Sequence, residues 1–123
     1  MLAEGYFDVT LTAKEDLSAP AGRMLIEKSY QGGMEGTGLG QMISKRTEKG
    51  VSLYFAIEEF KGRINGKEGA LTFVHKGVMD KDSETLKIEI LAGSATGALE
   101  GIKGEVRLNI DKGRHFYVLD YEF

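Results

Sequence analysis

The sequence contains no cysteine, only two histidines and a single proline. Without cysteine the chain has no disulfide framework, no thiolate chemistry and no cysteine-based metal site. No apolar run approaches the ~20 residues of a membrane-spanning helix. The N-terminus lacks the basic and apolar regions of a signal peptide. We therefore expect a cytoplasmic protein that does not enter a membrane.

An excess of charge of one sign is also missing: the formal net charge is −3, and acidic and basic residues are interspersed. Nucleic acid selects a basic stripe, so we expect no nucleic-acid partner. His75 and His115 do not stand in a ligand-spaced motif with a carboxylate, so we expect no metal site and no cofactor. The segment Gly36–Gly40 is not a phosphate loop, because neither a helix nor Gly-Lys-Ser/Thr follows it. No serine lies in a Gly-x-Ser-x-Gly motif.

Glycine is abundant, with 17 residues, about twice the average usage of ~7%. The glycines stand singly among β-branched and aromatic residues, a pattern typical of turns, bulges and strand bends. With 123 residues the chain is long enough for one domain with a sizeable core. We therefore expect residues 1–123 to form a single domain.

The strongest local signal is Asn65-Gly66, which separates two apolar runs within Tyr54–Gly77. Both residues tolerate the positive φ that a type I′ hairpin turn requires. A two-residue loop fixes the register, so the expected pairs are Ile64 with Lys67, Glu58 with Phe73 and Ala56 with His75. One face of the ribbon then carries Tyr54, Ala56, Glu58, Phe60, Leu71, Phe73 and His75. The other face carries Leu53, Phe55, Ile57, Ala70, Thr72 and Val74.

Alternating apolar and polar residues predict further strands on both sides of this hairpin. They are Tyr6–Thr12, Met24–Tyr30, Met34–Ser44, Thr85–Leu91, Val106–Ile110 and His115–Phe123, with a short strand around Thr96–Leu99. The segment Ala13–Gly22 is the longest expected loop. Three glycines, Gly36, Gly38 and Gly40, fall on one face of their strand. That spacing suits either a backbone, side chain or ligand lying close to the strand, or a bend at a barrel corner.

The pattern of the whole chain predicts an all-β fold, because no segment shows a convincing helical period. If Ile110 faces His115, the last hairpin turns one face inward, formed by Val106, Leu108, Ile110, His115, Tyr117, Leu119, Tyr121 and Phe123. About eight strands joined by short loops favour an antiparallel up-and-down (meander) barrel, which also removes the exposed edges of an open sheet.

A set of short motifs occurs in order along nearly the whole chain. They are Ala21-Gly22-Arg23-Met24, Glu35-Gly36-Thr37, Tyr54-Phe55-Ala56-Ile57-Glu58, Gly62 through Gly69, Phe73-Val74-His75, Thr96-Gly97-Ala98-Leu99, Gly101-Ile102-Lys103-Gly104 and His115 through Tyr121. The chain resembles a bacterial domain-of-unknown-function family, number 3224, whose members are small barrels similar to the allene oxide cyclase barrel. The resemblance implies that fold and no activity. Glu58, His75, His115 and Tyr121 match the family pattern, whereas Gln41 and Ala98 stand where members often carry an acid.

Glu58 and His75 form the sharpest candidate site. In the predicted register they are diagonal neighbours, roughly 7–8 Å apart by backbone. An ionised carboxylate on an aromatic-lined face is costly to bury. Glu58 is therefore expected either to be paired, with His75 or Arg23, or to have a raised pKa that suits a general acid or base. Glu58 and His75 are the candidate catalytic residues; the alternative is a hydrogen-bonded pair that only fixes the strand register.

Three tyrosines, Tyr54, Tyr117 and Tyr121, also fall on inward faces. Each offers a ring and a hydroxyl to a cavity, or else fills the core with its hydroxyl near a barrel mouth. The candidate ligand-binding residues are Tyr54, Glu58, His75, His115, Tyr117 and Tyr121.

Three functions remain open at this point. The leading hypothesis is a binding protein for a small apolar or amphipathic molecule, since a barrel of about eight strands has room for one small ligand. The second is an acid–base enzyme, an isomerase, cyclase or hydrolase using Glu58 and His75. The third is a structural, self-associating domain. Leu53, Phe55 and Ile57 would form an outward apolar face that needs a cover, which favours a homodimer.

Overall fold

The computed structural model describes residues 1–14 and 19–123. Apart from turns and irregular segments, the secondary structure in these ranges is entirely β. The strands are β1 (Leu2–Lys14), β2 (Gly22–Gly32), β3 (Met34–Arg46), β4 (Ser52–Ile64), β5 (Lys67–Met79), β6 (Glu84–Ile90), β7 (Thr96–Gly97), β8 (Lys103–Asp111) and β9 (Arg114–Glu122). Within the described ranges, no helix is long and apolar enough to cross a membrane.

Eight of the strands close into an antiparallel barrel in the order β1, β2, β3, β4, β5, β6, β8, β9, and β9 pairs with β1. From β1 to β6 each strand pairs with the next along the chain, β6 then pairs with β8, and β8 pairs with β9. The two-residue β7 stands outside this order and adds to β5 beside the β5–β6 pairing. The predicted all-β meander barrel is confirmed, including its approximate number of strands.

The turn at Asn65-Gly66 sets the register of the β4–β5 hairpin. Both residues adopt positive φ, 47° and 83° respectively. The three predicted pairs are confirmed: Ile64 with Lys67, Glu58 with Phe73 and Ala56 with His75. In the last hairpin Ile110 pairs with His115 as predicted.

The strand boundaries differ from the predicted ones mainly at the N-terminus. The strand expected at Tyr6–Thr12 begins at Leu2, because residues 2–7 pair with β9 and close the barrel. A side chain at Gly5 would collide with the backbone of the neighbouring β2, so glycine is needed there although it breaks the alternating pattern. The short strand expected at Thr96–Leu99 covers only Thr96–Gly97. The centre of the expected loop at Ala13–Gly22, residues 15–18, lies outside the described residues.

The core fills one end of the barrel, which we call the closed end. Its buried apolar side chains include Phe7, Tyr30, Met34, Phe60, Ile64, Leu71, Phe73, Leu99, Ile102, Tyr117 and Leu119. We call the opposite end, where β1, β3, β5 and β8 finish, the mouth. Most inward-facing apolar side chains described there are only partly buried. Leu11 is 52% exposed, although its partner on β2, Ile26, is buried, and Ile110 is 65% exposed.

Candidate functional site

Glu58 lies inside the barrel, midway between the closed end and the mouth. Strand alternation points it inward together with Ala56 and Phe60, and all three side chains are buried. Glu58 itself is fully inaccessible to solvent. A carboxylate in this position is stable only if its oxygens are supplied with donors.

Three side chains supply those donors. Lys28 Nζ donates to Glu58 Oε1 at 2.9 Å, and His75 Nε2 lies 2.9 Å from the same oxygen. The hydroxyl of Tyr30 donates to the other oxygen, Oε2. The side chains of Lys28 and His75 are themselves almost entirely buried. We refer to Lys28, Tyr30, Glu58 and His75 as the Glu58 cluster.

Gly38 provides the space for this cluster. It stands on β3 between β2, which carries Lys28 and Tyr30, and β4, which carries Glu58. A Cβ atom at Gly38 would collide with Glu58 Oε2 and lie 3.1 Å from the ring of Tyr30. The run of glycines on β3 therefore marks a close approach of a side chain, which was one of the two interpretations of their spacing. Because β3 offers no side chain there, residues two strands apart can touch.

The electrostatics of the cluster keep Glu58 ionised. Burial raises the pKa of its carboxyl, but the hydrogen bond from His75, the charge of Lys28 and the hydrogen bond from Tyr30 outweigh burial and lower the pKa from 4.5 to about 2. The pKa of Tyr30 is raised well above 10.0, by burial first and then by the charge of Glu58. Tyr30 therefore remains a neutral donor, and Glu58 remains an acceptor, across the physiological range.

Aromatic rings complete the surroundings of Lys28. Its Nζ lies 4.4 Å from the centroid of the Phe7 ring, a cation–π distance. The ring of His115 also stacks on the Phe7 ring, with centroids 5.2 Å apart. The predicted site residue His115 is thus linked to the Glu58 cluster through Phe7.

The remaining predicted site residues divide between the two ends. Tyr54 is inward-facing at the mouth, where its ring covers Gly77. Burial, and then the charge of Glu84, raise the pKa of its hydroxyl.

Tyr117 and Tyr121 lie at the closed end. The Tyr117 hydroxyl accepts from Met34 N and donates to Gln31 O, each at 2.8 Å. The Tyr121 hydroxyl accepts from Asn65 Nδ2 at 2.7 Å. These hydroxyls hold strand ends together and are not directed towards Glu58 and His75. For Tyr117 and Tyr121 a ligand-binding role stays a prediction.

The sequence did not lead us to Lys28 and Tyr30 as partners of Glu58; it suggested Arg23 as the partner besides His75. Arg23 lies on the outward face of β2 and is exposed. The signal for Lys28 was present: by alternation it shares the inward face of β2 with Ile26 and Tyr30. A lysine on an otherwise apolar inward face indicates a buried acidic partner.

Neither Glu58 nor His75 lines any of five prominent pockets of the described residues. Within the described ranges, no group of three or more His, Cys, Asp or Glu side chains could hold a metal ion. All buried side-chain nitrogen and oxygen atoms in this part of the chain have a hydrogen-bond partner. The Glu58 cluster is therefore a buried polar layer below the mouth, and each of its buried polar atoms has a hydrogen-bond partner.

A family model and a solved structure that resemble this chain both belong to the same family. Residues 3–121 match the family described as "Protein of unknown function (DUF3224)". The chain is also similar to a crystal structure of a protein with unknown function from the DUF3224 family of Shewanella oneidensis MR-1. That structure is 32% identical, with a TM-score of 0.93, and the alignment covers 100% of this chain and 96% of the other. No match was found among curated proteins.

Proposed function

The chain belongs to the DUF3224 family, and from its geometry we propose that it binds an apolar or amphipathic small molecule in the mouth of the barrel, above the Glu58 cluster. The observation that carries this proposal is the exposure of inward-facing apolar side chains at one end only. At the closed end the inward positions are buried, whereas at the mouth Leu11 and Ile110 are 52% and 65% exposed. Inward-facing side chains that still meet solvent are available to contact a ligand, and a barrel of about eight strands has room for one small molecule.

The composition of the mouth supports an apolar or amphipathic ligand. Its inward positions include Leu11, Met24, Met42, Tyr54, Leu86 and Ile110. Methionine adapts its shape to a ligand because it is unbranched and polarisable. The Tyr54 hydroxyl and the His115 ring are among the polar groups on the same side of the cluster. An apolar body with one polar group would match this wall.

In this proposal the Glu58 cluster has a structural role and forms the base of the binding site. Glu58 has both oxygens engaged by donors and a pKa of about 2. A general base works best with a pKa near the operating pH and with access to the substrate proton. Burial and the low pKa of Glu58 therefore favour binding over acid–base catalysis, and the catalytic assignment of Glu58 and His75 stays a prediction.

A fluorescence titration with 1-anilinonaphthalene-8-sulfonate, an aromatic amphipathic anion, tests the proposal. The double variant Leu11→Gln/Ile110→Gln makes the mouth polar at two already exposed positions without adding a charge that would attract the anion. The matched control, Leu2→Gln/Leu91→Gln, changes two exposed side chains away from the mouth, which are 56% and 49% exposed. We expect the mouth variant to bind the probe at least tenfold more weakly, and the control to bind it as the wild type does.

Circular dichroism and thermal unfolding establish that both variants are folded. Two results would contradict the proposal. In one, the wild type does not bind the probe. In the other, the folded mouth variant binds the probe as tightly as the wild type does.

A further inference from the structure

The outward face of β3 and β4 carries an exposed apolar surface. Leu39, Ile43, Leu53, Phe55 and Ile57 form this surface, and each is between 36% and 58% exposed. Together with Leu25 of β2, several of them line an open groove of about 510 Å³. We call these six residues the outer patch. Contiguous apolar surfaces of this kind mark interaction sites.

Charged side chains lie in rows across the strands of the outer patch, and the sign of their charge changes from one row to another along the strands. Arg23 of β2 and Lys76 of β5 lie in one cross-strand row with Ile43 and Phe55, on the side towards the mouth. Glu27 of β2 and Glu59 of β4 lie in another row, with Leu39, on the side towards the closed end. The row between them contains Leu25, Gln41, Ile57 and Val74 and is uncharged from β2 to β5, with Glu89 next to it on β6. These three rows are therefore basic, uncharged and acidic in turn. Leu53 lies one row beyond the basic row, beside Lys45, and Lys61 lies one row beyond the acidic row.

We propose that the outer patch binds the same patch of a second copy of this chain, through a two-fold axis that crosses the strands along the row of Leu25, Gln41 and Ile57. Rotation about that axis reverses the direction of the strands and keeps each strand opposite its own copy. Arg23 then faces the second copy's Glu27, and Ile43 faces the second copy's Leu39. Ile57 faces the second copy's Ile57.

Charge complementarity is the reason for proposing a second copy of this chain as the partner and for placing the two-fold axis across the strands. A surface that is basic at one edge and acidic at the other is complementary to itself after this rotation, as an isologous interface requires. A two-fold axis parallel to the strands would instead place the basic row of one copy on the basic row of the other, and the acidic row on the acidic row. Like charges facing each other across an interface are unfavourable. Face-to-face sheets pack about 10 Å apart, which lets apolar side chains of this size interdigitate.

Sedimentation velocity on charge-reversal variants tests the proposed pairing. The single variants Arg23→Glu and Glu27→Arg each place like charges opposite one another, so we expect a dimer of the wild-type chain and at least a tenfold weaker dimer in each variant. The double variant Arg23→Glu/Glu27→Arg restores opposite charges and should restore the dimer. Arg23 and Glu27 are four residues apart on one strand, about 13 Å, so rescue within one chain is not expected.

The control variant Glu105→Arg makes the same charge change on β8, away from the outer patch, and should dimerise as the wild type does. A monomeric wild type would overturn the proposal. So would single variants that dimerise unchanged, or a folded double variant that remains monomeric.

Cysteine cross-linking tests the position of the axis independently, because the chain has no cysteine of its own. With a mild oxidant, Ile57→Cys should form a covalent dimer, since Ile57 meets its own copy at the axis. Ile110→Cys, at the mouth and similarly exposed, should remain monomeric on a non-reducing gel. Equal cross-linking of the two variants, or none at Ile57→Cys, would contradict this axis.

Discussion

His75 Nε2 lies 2.9 Å from Glu58 Oε1, across two strands whose register is set by the two-residue turn at Asn65-Gly66. The turn lies several residues away from both side chains, yet it decides that they meet. A shift of one residue in this pairing would turn one strand's side chains to the other face of the sheet. The polar centre of the barrel therefore depends directly on a local turn.

Gly66→Val tests that dependence. A Cβ at Gly66 meets no atom within 4 Å, so the variant introduces no collision. Its cost comes from the backbone, because φ at Gly66 is +83° and a β-branched residue avoids that region. We expect a loss of about 1–2 kcal/mol in the free energy of unfolding. An unchanged denaturation midpoint would show that the turn does not constrain the hairpin.

Gly38→Ala tests the space that β3 leaves for the carboxylate of Glu58. The backbone at Gly38 suits alanine, but its Cβ would collide with Glu58 Oε2. We expect a loss of about 1–3 kcal/mol, as for other overpacked interiors. The control is Gly22→Ala, where the added Cβ would lie 3.4 Å from Ser44 Oγ. Equal stability of the two variants, measured by urea unfolding, would contradict the close approach at Gly38.

Lys28→Met tests the buried ion pair. Methionine preserves most of the volume but leaves the ionised Glu58 without its cation. Breaking a buried pair by removing one partner typically costs about 3–5 kcal/mol, and we expect the lower end because His75 and Tyr30 still donate to the carboxylate. The control Lys61→Met removes an exposed lysine from β4 and should change stability by less than about 0.5 kcal/mol. Similar losses for both would show that the ion pair contributes nothing specific.

Acid unfolding tests the low pKa of Glu58. The pKa is about 2 in the folded chain against an ordinary 4.5, so the ionised group stabilises the fold above about pH 4.5. That contribution falls as the pH decreases towards 2, because the unfolded chain takes up the proton first. In Glu58→Gln this proton uptake is lost, so the slope of unfolding free energy against pH should be shallower between pH 2 and 4.5.

Chemical denaturation at several pH values gives that slope, and Glu59→Gln controls for the loss of one carboxylate. A slope in Glu58→Gln identical to that of the wild type would contradict the assigned pKa.

The barrel and half of the site were predictable from sequence, for local reasons. The turn at Asn65-Gly66 fixes which β4 residue faces which β5 residue, so Glu58 and His75 could be placed as neighbours. The contact between Lys28 and Glu58 could not be placed in the same way. It joins β2 to β4 across β3, and no two-residue hairpin turn specifies that register.

The positions of the tyrosines show a second limit. Alternation correctly put Tyr54, Tyr117 and Tyr121 on inward faces, since each turns towards the interior. Alternation does not say at which height in a tilted barrel a residue lies. Tyr54 stands at the mouth, whereas Tyr117 and Tyr121 stand at the closed end, where their hydroxyls are held by Met34 N and Asn65 Nδ2.

Methyl NMR during a titration with 1-anilinonaphthalene-8-sulfonate tests the proposed binding site most directly. Resonances of Leu11, Met24, Met42 and Ile110 report on the mouth, and those of Leu39, Ile43 and Ile57 report on the outward face. We predict saturable shifts at the mouth methyls, with the outward methyls unchanged. Shifts confined to the outward methyls, or no saturable shift at the mouth, would contradict a ligand site in the barrel.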